Sequence, residues 1–406
     1  MALSVSMAGW LPVSSGTRAS VTCACAAALA CLAACSAPPP ARPSRVPRTA
    51  PAAIVPFPAI TASPGWRHVR SPVLHPSGRY DAITATGPAE AWAAGSEGTG
   101  QPPAYGHPVV VHWNGARWAR MALPPSTGEL TGFTALVAST SSDVWAAGAS
   151  VGGPVSYFVY HFDGLAWTGV RLPAIAGANA PVAGMAITPD GHLWVVGSGL
   201  RGSFILRWDG SGWTQLPLPA PGLRPAGVVA RTNTDVWVTG NIREMYHWDG
   251  TRWRRVPTPA SQPGSVPYLA AVGPTDVWAV GGAGGGDLTG GGYPGCIGMH
   301  FAQPESAVLH WDGRSWHRVA VGNAGPLHGI TPDGAGGVWI AANAYTYSRS
   351  SLYLHWRAGT WTGIYLWPPP SPATEENTVV AQIPGSQRVW SAGAGPDGGN
   401  IELYTP

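Results

Sequence analysis

The chain has 406 residues, 11% of them charged and 45% hydrophobic, with 55 glycines and 42 prolines. All 23 basic residues are arginine and the net charge is only +3, which argues against the basic face of a nucleic-acid binder. So many turn formers, with no long charged helical run, point to short strands joined by turns.

In chain order, Arg18 precedes an apolar run, Val21 to Ala34, that has the length of a signal-peptide core and is too short for a membrane-spanning helix. The run ends in Leu32-Ala33-Ala34-Cys35, which resembles the lipobox of bacterial lipoproteins. That resemblance implies cleavage before Cys35 and lipidation of Cys35. Residues 1–35 are then a lipoprotein signal, and the mature protein sits outside the cell membrane on a lipid anchor. The other reading is ordinary cleavage and full secretion. Cys23, Cys25 and Cys31 also belong to the signal, so Cys296 alone remains beyond it and no internal disulfide is expected. Residues 36–65 carry nine prolines among small residues and arginines. Such a stretch buries too little to fold, and reads as an extended spacer reaching up to roughly 90 Å.

Residues 66–406 repeat. One phrase is an apolar strand with Trp and a following glycine: AWAAG at Trp92, DVWAAG at Trp145, HLWVVG at Trp194, DVWVTG at Trp237, DVWAVG at Trp278, GVWIAA at Trp339 and RVWSAG at Trp390. A second is a strand ending in an aromatic, then a turn, then Trp, as in VVHWNGARW, LRWDGSGW and LHWDGRSW. A small-residue apolar strand, such as LTGFTALVAS or PYLAAVG, precedes each first phrase. Each unit of about 50 residues thus reads as four strands: A (small), B (Trp-Gly), C (ending aromatic) and D (starting with Trp). That is the pattern of a propeller blade. The Asn-Gly or Asp-Gly turns between C and D supply positive φ.

The last unit has A, B and C and then stops, whereas PGWRHVRSP at Trp66 is a D strand with nothing before it. The predicted fold is all-β: a seven-bladed β-propeller over 66–406. The Trp66 strand closes the last blade beside Tyr404 and removes an open edge. The phrases resemble exported actinobacterial propellers with tandem DVWAVG and HWDGxxW, and more loosely the kelch and galactose-oxidase-like families. The turn D-G-x-x-W also resembles the Asp-box of sialidase-type propellers but is one residue short.

Of the 21 tryptophans, 19 fall on repeat positions, which reads as packing repeated in every unit rather than a sugar-stacking platform. His112, His161, His247, His310 and His355 recur before the C-strand aromatic. They lie in different units, so they cannot share one ion, and hydrogen bonding to the neighbouring blade is expected instead. Asp143, Asp235 and Asp276 read as caps of the A–B turns. No nucleophile elbow, zinc spacing, phosphate loop or calcium loop occurs, so neither metal nor cofactor is expected. The repeats lengthen in the B–C loops of units 1, 5 and 6 and in the link between units 6 and 7. These place a candidate site on one face, with Tyr105, Tyr293, His300, Glu305, Tyr345, Tyr347, Trp367 and Glu375 as contact residues. The expected function is a tethered, monomeric binding module for a glycan, peptide or envelope protein, touching the membrane only through its lipid. The alternative is a glycoside hydrolase or lyase with its site at the channel mouth.

Overall fold

The computed structural model describes residues 60–62, 65–75, 78–99, 105–124, 130–150, 157–173, 182–199, 202–240, 242–262, 264–283, 305–322, 324, 327–343, 351–365, 376–395 and 398–406. Every regular element among them is a strand.

The A-B-C-D reading holds along the chain. Neighbouring strands of a unit pair antiparallel, in the order inner A, then B, C and outer D. The inner strands are Arg79–Gly87, Leu130–Thr140, Val182–Ile187, Gly227–Thr232, Ser265–Gly273, Leu327–Pro332 and Glu376–Gln382. Each packs against the next, and Glu376–Gln382 packs against Arg79–Gly87, which closes the circle. All-β units radiating from a ring of inner strands are the arrangement of a β-propeller, with a channel inside the ring.

Six sheets result, where the repeats led to seven separate ones. Five sheets hold one unit each. The sixth has eight strands and contains two four-strand runs, joined only by the residue pair Ala394 and Arg79. In one run, Trp66–His68 is the outer strand and pairs antiparallel with Asn400–Tyr404, Trp66 facing Tyr404.

Residues assigned from sequence to the spacer also take part. Ile60–Ala62 pairs in parallel with Gly363, Ile364 and Tyr365 of the outer strand Thr360–Tyr365. The reason lies in the edge. Outer strands elsewhere run three or four residues, and several carry charge: Trp118–Arg120, Trp253–Arg255 and Trp316–Arg318. Short, charged edges resist strand addition, whereas Thr360–Tyr365 is six residues long without a charge, and it is covered. Between these two pairings Trp66 turns inward. Its ring stacks on Tyr353 at 3.9 Å between centroids and meets the edge of Trp339 at 5.5 Å.

The core lies between units. Trp92, Trp194 and Trp390 of the B phrase are fully buried, and Trp390 receives Trp113 and Trp118 of the next unit edge-on at 5.3 and 5.2 Å. Such edge-to-face pairs add about 0.5–1.5 kcal/mol each beyond area burial. The glycine three residues after six of the seven B tryptophans, Trp339 with Ala342 being the exception, also has a reason. A methyl group on Gly95 would stand 2.0 Å from the carbonyl oxygen of Arg79, and one on Gly281 would stand 2.2 Å from that of Ser265. Only glycine lets the inner strand come this close. In the C–D turns the aspartate side chain accepts two backbone N–H groups, as Asp209 does from Ser211 and Gly212, and the following Gly210 takes the positive φ of 92°.

Candidate functional site

The two ends of the sheets differ in chemistry. At the end carrying the A–B and C–D turns, five units build one arrangement. A C-strand histidine stacks on the B-strand tryptophan and contacts a carboxylate at the start of the same B strand or, for Asp333, just after the inner strand. His161 lies 2.9 Å from Asp143, His247 2.9 Å from Asp235, His310 2.8 Å from Asp276, His355 2.8 Å from Asp333 and His112 2.7 Å from Glu90. Ring centroids stand 4.1 to 5.0 Å apart, from Trp339–His355 to Trp92–His112. The indole N–H of Trp145 and of Trp278 donates to Asp143 and Asp276.

These contacts correct two expectations. The histidine partner lies within its own unit, not in the neighbouring blade. Asp143, Asp235 and Asp276 are the first residues of B strands, and their carboxylates hold side chains rather than cap the bend. Burial alone would raise the carboxyl of Asp143, but hydrogen bonds from His161, Ser139 and Trp145 outweigh it and hold it below the ordinary aspartate value. Asp333 behaves likewise: burial opposes ionisation, and His355, the backbone N–H groups of Gly337 and Ala335, and Arg357 override it. Arg207 and Leu403 occupy the histidine position opposite Trp194 and Trp390. Among the described residues no group of three or more His, Cys, Asp or Glu could hold a metal.

The opposite end, where inner strands begin, is irregular. Six inner strands carry a register shift near their start, and the displaced residues are Asp81, Thr134, Ala183, Val266 with Pro267, His328 with Gly329, and Thr378. A bulge leaves the extra residue unpaired and re-aims its side chain. Here unlike groups meet. Arg79 and Asp81 come from one inner strand, Tyr268 from Ser265–Gly273 and His328 from Leu327–Pro332. Arg79 Nε stands 2.5 Å from Asp81 Oδ1, an ion pair by distance whose N–H is not aimed along the contact. The rings of Tyr268 and His328 meet edge-on at 6.2 Å.

Burial dominates the titration of three of these groups, with Arg79 a lesser influence on each. Burial raises the Asp81 carboxyl against the pull of Arg79. Burial lowers the His328 imidazole, and the Arg79 charge lowers it further, so the ring is neutral at pH 7. Burial raises the Tyr268 phenol, which Arg79 partly offsets. Tyr268 nevertheless keeps 39% of its surface open. The His328 Nε2 is buried without a hydrogen-bond partner.

None of the four was singled out from sequence. The available signal was departure from pattern: Arg79, Asp81, Tyr268 and His328 interrupt A strands whose counterparts are small or apolar. Of the eight expected contact residues, the backbones of Tyr105 and Glu305 are described. Each opens a C strand, paired with Thr99 and Ala283, so part of each expected B–C loop is strand instead. Tyr293, His300, Tyr345, Tyr347, Trp367 and Glu375 lie outside the described residues, as do Cys35 and Cys296.

No protein-family model matches the chain, and neither does any curated protein. Solved structures do resemble it. "YCF48 bound to D1 peptide" superposes with a TM-score of 0.57 at 12% identity, covering 86% of this chain and 98% of that one. "Crystal structure of RRP9 WD40 repeats" gives 0.54 at 10%, over 86% and 98%. A chain of "Crystal Structure of Mitotic Checkpoint Complex" gives 0.54 at 14%, over 89% and 98%. Identities this low speak to fold alone, and the fold they share with this chain is the β-propeller.

Proposed function

We propose that the chain is a binding module that takes a peptide or protein segment at the channel mouth beside Arg79, Asp81, Tyr268 and His328. The observation that carries this is the contrast within the ring. At one end unlike polar and aromatic groups converge in solvent reach, where other inner strands offer Thr134 or Ala183. One similar propeller is described as bound to a peptide, which supports a peptide over a glycan. The enzyme alternative would need carboxylates and arginines free to act on a substrate. Arg79 and Asp81 are an ion pair with each other.

The wider reading includes seven blades, counting the two four-strand runs of the eight-stranded sheet separately, since seven inner strands complete the circle. It also includes kinship with exported actinobacterial propellers and a lipid on Cys35, with residues after it leading to the folded part. Cys35→Ser expressed in an actinobacterial host should release the protein from the membrane fraction; retention there would refute the anchor. Peptide and glycan arrays probed with the full-length protein and its Tyr268→Ala variant test the site. Bound peptides should lose signal with the variant, and an unchanged pattern would place recognition elsewhere.

A further inference from the structure

Where the last unit meets the sixth, buried polar side chains stand at positions that are apolar in other units. Tyr353 lies two residues before the residue opposite its B tryptophan, where the other C strands carry Val110, Val159, Ile205, Met245, Val308 and Ile401. Ser391 follows its B tryptophan, where alanine, valine or isoleucine follows the others. Glu402 replaces Val111, Leu206, Leu309 and Leu354 of units 1, 3, 5 and 6. Tyr353, Ser391 and Glu402 are buried, and so is Asn377 beside them. Their oxygens form a chain. Glu402 Oε2 stands 2.6 Å from the Tyr353 hydroxyl, that hydroxyl 2.9 Å from Ser391 Oγ, and Ser391 Oγ 2.9 Å from the carbonyl oxygen of Val379.

Three oxygen-to-oxygen contacts need three protons, since each hydrogen bond holds one. The Val379 carbonyl has none, so the Ser391 proton lies there. Ser391 Oγ then accepts from Tyr353, whose phenol has a single proton. Burial pushes that phenol well above its ordinary range, so the proton stays on it. The 2.6 Å contact is left to a proton on Glu402 itself. Asn377 Nδ2 points its N–H groups at the Tyr353 oxygen, 3.0 Å away, and at Glu402 Oε2, 3.2 Å away, and so adds nothing between those two oxygens. An ionised Glu402 would leave one of the three contacts with lone pairs facing each other, and burial also disfavours the charge. The titratable and charged groups on the surrounding strands are Tyr353, His355 and Arg357 on Ser351–Arg357, Arg67 and His68 on the outer strand, and Glu376 at the start of the inner strand. His68 pairs opposite Glu402, and its Nδ1 meets Asn400 Oδ1 at 2.7 Å. The B strand Val389–Ala394 carries none.

We propose that Glu402 is held as the neutral acid, and that its proton latches the last unit to the sixth against Tyr353, on which Trp66 stacks. With the proton in place the chain of hydrogen bonds is complete; without it the seam loosens. A folded value above the unfolded one, about 4.3, makes the latch complete below that pH, and its contribution is lost as pH rises toward the folded value.

Glu402→Gln keeps the shape and offers the Tyr353 oxygen an N–H that does not titrate. Urea unfolding of the full-length protein and this variant gives a ratio of unfolding constants, parent over variant. That ratio should rise about tenfold per pH unit from about pH 5 to about pH 7. Infrared spectra in heavy water at neutral pH should show a C=O band of a protonated carboxyl that Glu402→Gln removes, any contribution of Asp81 remaining in both. If Glu402→Gln does not melt cooperatively, Tyr353→Phe takes its place: with the acceptor oxygen gone, the same band should move to higher frequency. A ratio constant over that range, or spectra with no band that the variant removes or moves, would overturn the latch and make Glu402 an ionised carboxylate.

Discussion

The two ends of the sheets answer to different demands. At the A–B end, histidine, carboxylate and tryptophan recur in five units with nearly the same geometry, Asp143 with His161 matching Asp276 with His310 to within 0.1 Å. At the other end the same strands bulge, and the displaced position holds aspartate, threonine, alanine, proline or histidine by turns. A group that recurs in unit after unit has a task every unit shares, which is to pack. A group present once, among strands that otherwise lack it, has a task of its own. Stability should therefore respond to changes at the regular end, and binding to changes at the irregular one.

The sharpest blow to stability should come from the core between units. Trp390→Ala removes a fully buried ring that two tryptophans meet edge-on, and should cost about 3–5 kcal/mol in urea unfolding. Next comes Asp333→Ala. Asp333 is wholly buried and receives His355, Arg357 and two backbone N–H groups, so its loss leaves several donors stranded and should cost about 2–3 kcal/mol. Asp143→Ala, at a half-exposed position, should cost less by the same assay. A penalty of equal size at both would mean that burial does not set the worth of these carboxylates.

Acid should expose the same asymmetry. Asp143, Asp235 and Asp333 hold their carboxyls below the ordinary value, because hydrogen bonds from histidine and other donors outweigh burial. A folded value below the unfolded one, about 3.9, means their contribution is complete above that pH. It is lost as pH falls through the folded values. The lowered imidazoles of His328 and His355 make the urea midpoint begin to fall below about pH 6.5. It should drop further below about pH 4 as the carboxylates protonate, and that acid step should be shallower in Asp333→Asn. The smallest effect on stability belongs to the channel mouth: Tyr268→Ala should shift the unfolding free energy by no more than about 0.5 kcal/mol while weakening ligand capture. A large loss of stability there would collapse the distinction between the two ends.

The sequence shows how these ends differ in legibility. Trp92, Trp145 and their counterparts could be read directly, because each recurrence confirms the others and the strand order follows from the spacing. The closing pair of Trp66 and Tyr404 was legible for a related reason, a D strand without a unit and a unit without a D strand. The channel group was hidden because its members occur once each and are spread over three inner strands. The bulges that displace Asp81 and His328 leave no mark in composition, and so the expectation settled on long loops instead. The strand Ile60–Ala62 was missed for a different reason: its partner is an uncharged edge, and prolines around it read as a spacer.

The clasp between Trp66–His68 and Asn400–Tyr404 has a consequence for how the ring comes into being. Within a unit, neighbouring strands lie close along the chain and can find each other early. His68 and Asn400, by contrast, touch at 2.7 Å across a separation of 332 positions. Contacts so distant carry the greatest loop-closure entropy and form late. Until then Trp66 and the edge beside Tyr404 stand without their mates, so the pairing of Trp66–His68 with Asn400–Tyr404 closes one of the longest loops in the ring.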